Sequence, residues 1–292
     1  MDELVVQTQI YRKEIISYVY RLTGSIEEAK DITQETILKY ISLKDVVIDN
    51  PKAWMFKVAT NLSLDFFRKT KVKKEMYIGP WLPEPYIEES FSIEDDMELD
   101  ESLSVALLVL MEKLSSKERI AYILHDLFDF KHKEIADILA TSSQNSRQLT
   151  SRANKKLKEK KSKHSPSKKE HLELTESFLK AIKEGDFNNL KKIFKADIEL
   201  HSDGGGKAIA ARKVLYGDND FVSKFLIKVT HSLFEKSKNN VELKMLWFNG
   251  SPGLILLYDG VVVSSYSFEI IENKISRIYS LRNPDKLKFF RL

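Results

Sequence analysis

The hydrophobic repeat changes once along the chain, and that change constrains the fold most. Before about Phe234 the apolar residues mostly recur at helical spacing. From Val241 onward they gather into β-rich runs at 241–247, 253–258, 261–271 and 274–281. Asp259-Gly260 and Glu272-Asn273 separate the later runs as natural hairpin turns. Just upstream lie amphipathic helices at 171–184 and 187–194, a strand at 198–201, a turn at 203–207 and a helix around 221–234. Helices followed by a meander of strands predict an α+β cone, with helices laid over a curved antiparallel sheet.

Upstream of the cone, residues 131–161 read as a helix, a tight turn and a second helix loaded with cations. Ile135, Ala136, Ile138 and Leu139 share one face of the first helix. Thr141-Ser142-Ser143 supplies the turn and the capping hydroxyls for the next helix. Between Ser142 and Glu170 there are ten Lys or Arg against two acids. A charge run alone equally suits a solvated helix face. Gln144, Asn145, Arg147, Gln148 and Arg152 tip the reading to a helix-turn-helix, because such side chains bond base edges and phosphates. Lys155, Lys156 and Lys158 extend it as backbone contacts without sequence preference.

The first third predicts only helix. Val5, Ile10, Ile15, Val19 and Leu22 form an amphipathic pattern ended by Gly24. Ser25 and Glu28 have capping-box spacing, and Asn50-Pro51 opens a third helix. On that helix Trp54, Val58, Leu62 and Phe66 step by four as an apolar stripe, expected to be core. Lys57, Asn61, Asp65 and Arg68 mark a polar face, and residues 68–74 hold five cations. Three prolines between Gly79 and Tyr86 exclude regular helix. Residues 88–101 follow with eight acids and no base, read as a solvated connector. Pro80-Trp81-Leu82-Pro83 inside the linker calls for a surface to cover it. Leu114 to Glu118 offers another capping box ahead of Ile120, Ile123, Leu124 and Leu127. Residues 162–169 are polar and basic, a domain boundary.

The 292 residues carry a net charge of +4, so the basic character is local. The absence of cysteine excludes disulfides, zinc ribbons and a thiol nucleophile and fits a reducing cytoplasm. No signal peptide and no membrane span are expected, which predicts a soluble cytoplasmic protein. No His pair has metal-ligand spacing, and no cofactor is implied.

These pieces, in this order, resemble a family. Asp31-Ile32-Thr33-Gln34-Glu35-Thr36, Pro51 to Trp54 and Ala59 to Asp65 resemble region 2 of an extracytoplasmic-function sigma factor. Leu114 to Arg119 with the helix-turn-helix resembles its region 4. The last section is similar to a SnoaL-like domain of the nuclear-transport-factor-two-like superfamily. Residues 79–85, 203–207 and 283–287 resemble marks of the sigma subfamily carrying that extension. The resemblance implies two all-α sigma domains, region 2 at 1–75 and region 4 at 102–163, joined by a linker at 76–101. An α+β SnoaL-like domain at 170–292 follows.

It further implies a promoter-specificity subunit and not an enzyme, with core RNA polymerase as partner through its β′ clamp helices and β flap. Asp31, Gln34 and Glu35 become candidate polymerase contacts. Lys57, Asn61, Arg68, Lys69 and Lys71 become candidate contacts to the −10 promoter element, with a base pocket expected in the loop 44–50. Gln144, Asn145, Arg147, Gln148, Arg152, Lys155 and Lys156 become the −35 readers. Regulation in cis is expected where the cone grips the linker at 79–86 or the face between regions 2 and 4, with Pro80, Trp81, Leu82, Pro83, Asp203, Gly204, Gly205, Gly206, Lys207, Asn283, Pro284 and Asp285 as the candidate contacts. A small ligand in the cone is a further option that no residue identifies. Two alternatives stand beside this reading: a one-component helix-turn-helix regulator with a ligand-sensing domain, and a SnoaL-like cyclase or isomerase fused to a DNA-binding module. For the enzyme, His201, Asp203, Asp218, Asp220 and Tyr258 are the polar residues expected near a cone mouth.

Overall fold

The computed structural model of the chain describes residues 3–43, 48–87, 100–158, 166–217, 219–236 and 240–290. Most of the expected base-pocket loop, most of the acidic segment, much of the boundary at 162–169, Asp218 and the side chain of Asp220 lie outside the described residues. Two compact units form, Met1–Glu75 with Leu108–Lys161, and Met76–Leu107 with Ser162–Leu292.

In the first unit α1 (Glu3–Thr23), α2 (Ile26–Ile41) and α3 (Pro51–Glu75) pack mutually. Gly24, at φ +68°, ends α1, and the Ser25 hydroxyl accepts from the Glu28 amide to start α2. Asn50 caps α3 by accepting from the Ala53 amide at 3.0 Å. The buried face of α3 is Met55, Phe56, Ala59, Thr60 and Ser63; Trp54, Val58, Leu62 and Phe66 are only half-buried, which corrects the expected core stripe. The reason is size and hydrogen bonding. Thr60 and Ser63 turn their hydroxyls onto the carbonyls of Phe56 and Ala59 at 2.6 and 2.7 Å. These satisfied small residues let neighbouring helices approach closely.

The helices α4 (Val105–Met111), α5 (Ser116–Tyr122), α6 (His132–Leu139) and α7 (Ser143–Lys158) follow, with a π-helical turn at Ile123–Leu127. Ser115 and Glu118 complete a reciprocal capping box. Aromatic rings stitch the two stretches of this unit together. Phe56 lies 4.9 Å from Tyr18 and Phe130 and 5.5 Å from Phe128. Among the described residues, no helix is long and apolar enough to cross a membrane.

In the second unit α8 (Lys168–Glu184) and α9 (Phe187–Ile193) precede β1 (Phe194–Asp203) and β2 (Leu215–Tyr216). Then come α10 (Asn219–Lys236), β3 (Val241–Phe248), β4 (Ser251–Tyr258), β5 (Val261–Ile271), β6 (Lys274–Leu281) and α11 (Pro284–Leu287). The sheet order is β2-β1-β6-β5-β4-β3, antiparallel except that β1 runs parallel to β6. This differs from the expected antiparallel sheet. The crossover through α10 puts the end of the β3–β6 meander beside β1 in the same sense. Register shifts in three strand pairs bend the sheet.

Strand alternation gives the sheet two unlike faces. Ile198, Leu200, Leu254, Leu256, Phe268 and Ile278 form a core with Leu174, Phe178 and Ile182 of α8. Glu199, His201 and Asp203 alternate with them and point to the other face. That corrects the cone-mouth placement of His201 and Asp203, and Tyr258 is 42% exposed beside a turn.

Candidate functional site

The helix-turn-helix presents one charged face. Ser146, Leu149, Thr150, Ala153 and Leu157 of α7 are buried, while Gln144, Arg147, Gln148, Arg152 and Lys155 are exposed. Asn145 is half-buried and donates to the Thr141 hydroxyl at 2.7 Å, so it also braces the turn. Lys156 bonds both carboxylate oxygens of Glu118 at 2.9 and 2.7 Å. Burial would raise the Glu118 pKa, but bonds from Lys156 and Ser115 hold it below the usual carboxylate range. Lys156 therefore ties α7 to the α5 cap. Asn154 bonds Asp126 at 3.2 Å, and a His132 ring nitrogen lies 3.1 Å from the Ser146 hydroxyl. Asp126, His132, Ser146 and Asn154 were not singled out by the charge pattern, which detects exposed cations and not their bracing partners.

On α2, Asp31, Gln34 and Glu35 are exposed together with Leu38, while Ile32, Thr33 and Thr36 are buried. Glu35 also pairs with Lys39 at 2.8 Å. On α3, Lys57, Asn61, Arg68 and Lys71 are exposed and fall on one helical face; Lys69 is exposed about a quarter-turn or more away. Arg68 is paired with Asp65, which reduces its local positive charge.

The densest polar site lies in the second unit, where the linker meets the sheet. Asp203 is fully buried. One of its oxygens accepts from the Tyr77 hydroxyl at 2.5 Å and the Gly205 amide at 3.0 Å. The other accepts from the Leu82 amide at 2.9 Å and the Lys286 ammonium at 2.8 Å. Lys286 also donates to the Leu82 carbonyl at 2.6 Å and sits 3.7 Å from the Trp81 ring centroid. Tyr77 packs edge-on to Trp81 at 4.5 Å and accepts from Asn283 at 2.8 Å. Burial first, then donation to Asp203, pushes the Tyr77 phenol pKa up, so it stays a proton donor.

Asn283 and Pro284 open α11, the Asn283 side chain accepting from the Asp285 amide at 3.0 Å. Lys207 pairs with Asp285 at 2.5 Å on the exposed rim. Gly205, at φ +59°, has no room for a side chain: a Cβ would lie 2.3 Å from the Asn283 amide nitrogen. Leu82, Pro83 and Pro85 are buried, and Pro80 and Trp81 are half-buried. The structure thus brings the linker residues, the glycine turn and the Asn283 segment together. Tyr77 and Lys286, which complete the site, were not among the expected contacts. Their signal is faint: an aromatic two residues before Gly79, and a lysine within the Asn283–Leu287 string.

Beside this anchor the same face carries an ionic network. Arg277 pairs with Glu199 at 3.0 Å and with Glu269, and His201 meets Glu199 at 2.9 Å. The His201 bond and Arg277 hold the Glu199 carboxyl down to about 2. Among the described residues no group of three or more His, Asp or Glu could hold a metal ion.

Comparison with known proteins supplies the context. Residues 9–72 match sigma-70 region 2, and residues 104–157 match sigma-70, region 4. The chain is 30% identical over 293 residues to the ECF RNA polymerase sigma factor SigJ of Mycobacterium tuberculosis, covering 97% of this chain and 92% of that protein. To the ECF RNA polymerase sigma factor SigM of Bacillus subtilis it is 28% identical over 152 residues, 51% of this chain and 90% of that one. The crystal structure of the M. tuberculosis extracytoplasmic function sigma factor SigJ superposes with a TM-score of 0.76 at 26% identity, covering 97% of this chain and 98% of that one. The likeness therefore extends through the second unit.

Proposed function

The chain belongs to the extracytoplasmic-function RNA polymerase sigma factors, and on that premise we propose how its parts divide the work of promoter selection. Region 4 reads the −35 element through α7. The observation that carries this is the exposed row of Gln144, Arg147, Gln148, Arg152 and Lys155 over a wholly buried opposite face. Amides and arginines near the helix start suit base edges, and the later lysine suits phosphate. Region 2 holds the −10 element along Lys57, Asn61, Arg68, Lys69 and Lys71.

Core RNA polymerase docks through Asp31, Gln34 and Glu35 of α2 on the β′ clamp helices, with region 4 on the β flap. Exposed carboxylates flanking the exposed Leu38 suit a basic, partly apolar partner surface. The protein works in the cytoplasm, where its polymerase is.

The SnoaL-like domain regulates and does not catalyse. Asp203, the candidate base, has both oxygens engaged by four donors, two from the linker. The domain modulates sigma activity by holding the linker that joins the two DNA-binding regions. Reconstituted transcription with core polymerase tests the scheme. Wild type should give promoter-dependent transcripts, and Arg147→Ala with Arg152→Ala should lose them without losing core binding. Transcripts unaffected by the pair would refute the assignment of α7.

A further inference from the structure

Three hairpin turns of the sheet share one backbone geometry, and only one of them is buried under the chain. Asn249-Gly250, Asp259-Gly260 and Glu272-Asn273 all place both central residues at positive φ, between 50° and 76°. The other two face solvent: a Cβ on Gly260 would meet nothing within 4 Å, and the Glu272 side chain is 76% exposed. Asn249 by contrast is 1% exposed. A Cβ on Gly250 would lie 2.3 Å from the backbone oxygen of Asp100.

The buried turn is occupied by two separate stretches of chain. The Asn249 amide donates to the Tyr86 carbonyl at 2.8 Å, and its side-chain oxygen accepts from the Tyr86 amide at 3.2 Å. Its side-chain nitrogen donates to the Leu103 carbonyl at 3.2 Å. The Asp100 amide donates to the Gly250 carbonyl at 2.9 Å. A two-residue turn that only reverses a hairpin needs none of these bonds, since its free groups are met by water. Asparagine suits the task because it tolerates positive φ and carries an acceptor and a donor on one short side chain.

We infer that Asn249-Gly250 is a second binding site for the linker, a clasp that holds Tyr86 and the Asp100–Leu103 segment at one turn. The clasp deepens the cis-regulatory reading and rests on it. It is distinct from the Asp203 anchor, which grips Tyr77 to Leu82. Together the two sites hold the chain from Tyr77 to Leu103, up to the start of α4, at both ends. Freed from both, a segment of that length spans on the order of 90 Å fully extended. The clasp therefore sets how much slack joins the two sigma regions, and its opening is a step that lengthens their reach.

Hydrogen–deuterium exchange on the full-length chain tests this directly. Gly250→Ala brings a Cβ against Asp100. Asn249→Gly keeps the turn geometry but removes both side-chain bonds, so it remains informative if the first variant folds poorly. The expected result for each is at least tenfold faster exchange at the Tyr86 and Asp100 amides, with the Leu82 amide at the Asp203 anchor unchanged. Unchanged exchange at Tyr86 and Asp100 overturns the clasp. So does an equal rise throughout β3 and β4, which would make the turn a hairpin stabiliser only. This readout needs neither promoter nor polymerase, so the clasp can fail while the regulatory reading survives. If exchange rises as expected yet transcription stays at the wild-type level, the clasp stands and the regulatory reading falls.

Discussion

Each unit joins distant parts of its sequence through an ionic cluster, but the two clusters are built differently. In the first unit Arg119 bonds Glu112 at 2.9 Å and the Leu22 carbonyl at 2.7 Å, with Lys74 on the same carboxylate at 2.6 Å. Water still reaches this cluster, the Glu112 and Lys74 side chains being 32% and 24% exposed. Burial would raise the Glu112 pKa, but Arg119 and Lys74 outweigh it and hold it low. Burial lowers the Lys74 pKa, and Glu112 only partly restores it. In the second unit Lys286 and Asp203 are sealed at 6% and 0% exposure, closed over by Trp81. A cluster open to water tolerates loss of a partner, whereas a sealed one leaves an uncompensated charge. The linker anchor is thus close to all-or-none, which suits a latch.

Asp203→Ala should break the contrast hardest. It strands the Lys286 ammonium and should cost the second unit roughly 3–5 kcal/mol, read by denaturant unfolding. Trp81→Ala should cost about 2 kcal/mol by removing the ring over Lys286 and its edge contact with Tyr77. Arg119→Lys sharpens the other side. It keeps the charge but loses the guanidinium Nη1 that bonds both Glu112 and the Leu22 carbonyl, and the group over the Phe67 ring, for about 1 kcal/mol.

A smaller effect is expected from acid. The His201 bond and Arg277 hold the Glu199 carboxyl down to about 2, so its contribution is present above the ordinary carboxylate range. It should fade as pH falls from about 4.5 towards 2, and Glu199→Gln should flatten that slope in pH-dependent unfolding. Smallest for stability, Arg147→Ala or Arg152→Ala should leave unfolding unchanged. Lys155→Ala, at the phosphate-contacting end of the same row, should lower the salt-dependence slope of promoter binding by roughly one.

The elements were legible wherever a local rule governs them. The β5 and β6 strands and the turn at Glu272-Asn273 follow from residue type alone, as do the caps at Ser25 and Ser115. Four features were not legible. The stripe on α3 was misplaced because Ala59, Thr60 and Ser63 are buried for close approach, which an apolar count overlooks. The parallel pairing of β1 with β6 depends on a crossover rather than on either strand's composition. Tyr77 and Lys286 are drawn into the site by residues more than 80 positions distant, Asp203 being 126 and 83 positions away. Asn249-Gly250 was not singled out in the sequence, because residue type says nothing of which distant segments bind a turn.

Regulation in cis rests on the second unit holding the linker that joins the two sigma regions. The most direct measurement is promoter-dependent transcription with core polymerase, comparing wild type with Trp81→Ala at matched protein concentration. Trp81→Ala should give a severalfold change in transcript with core binding unchanged, and faster exchange at the Leu82 amide. Released linker amides with transcript at the wild-type level would contradict it.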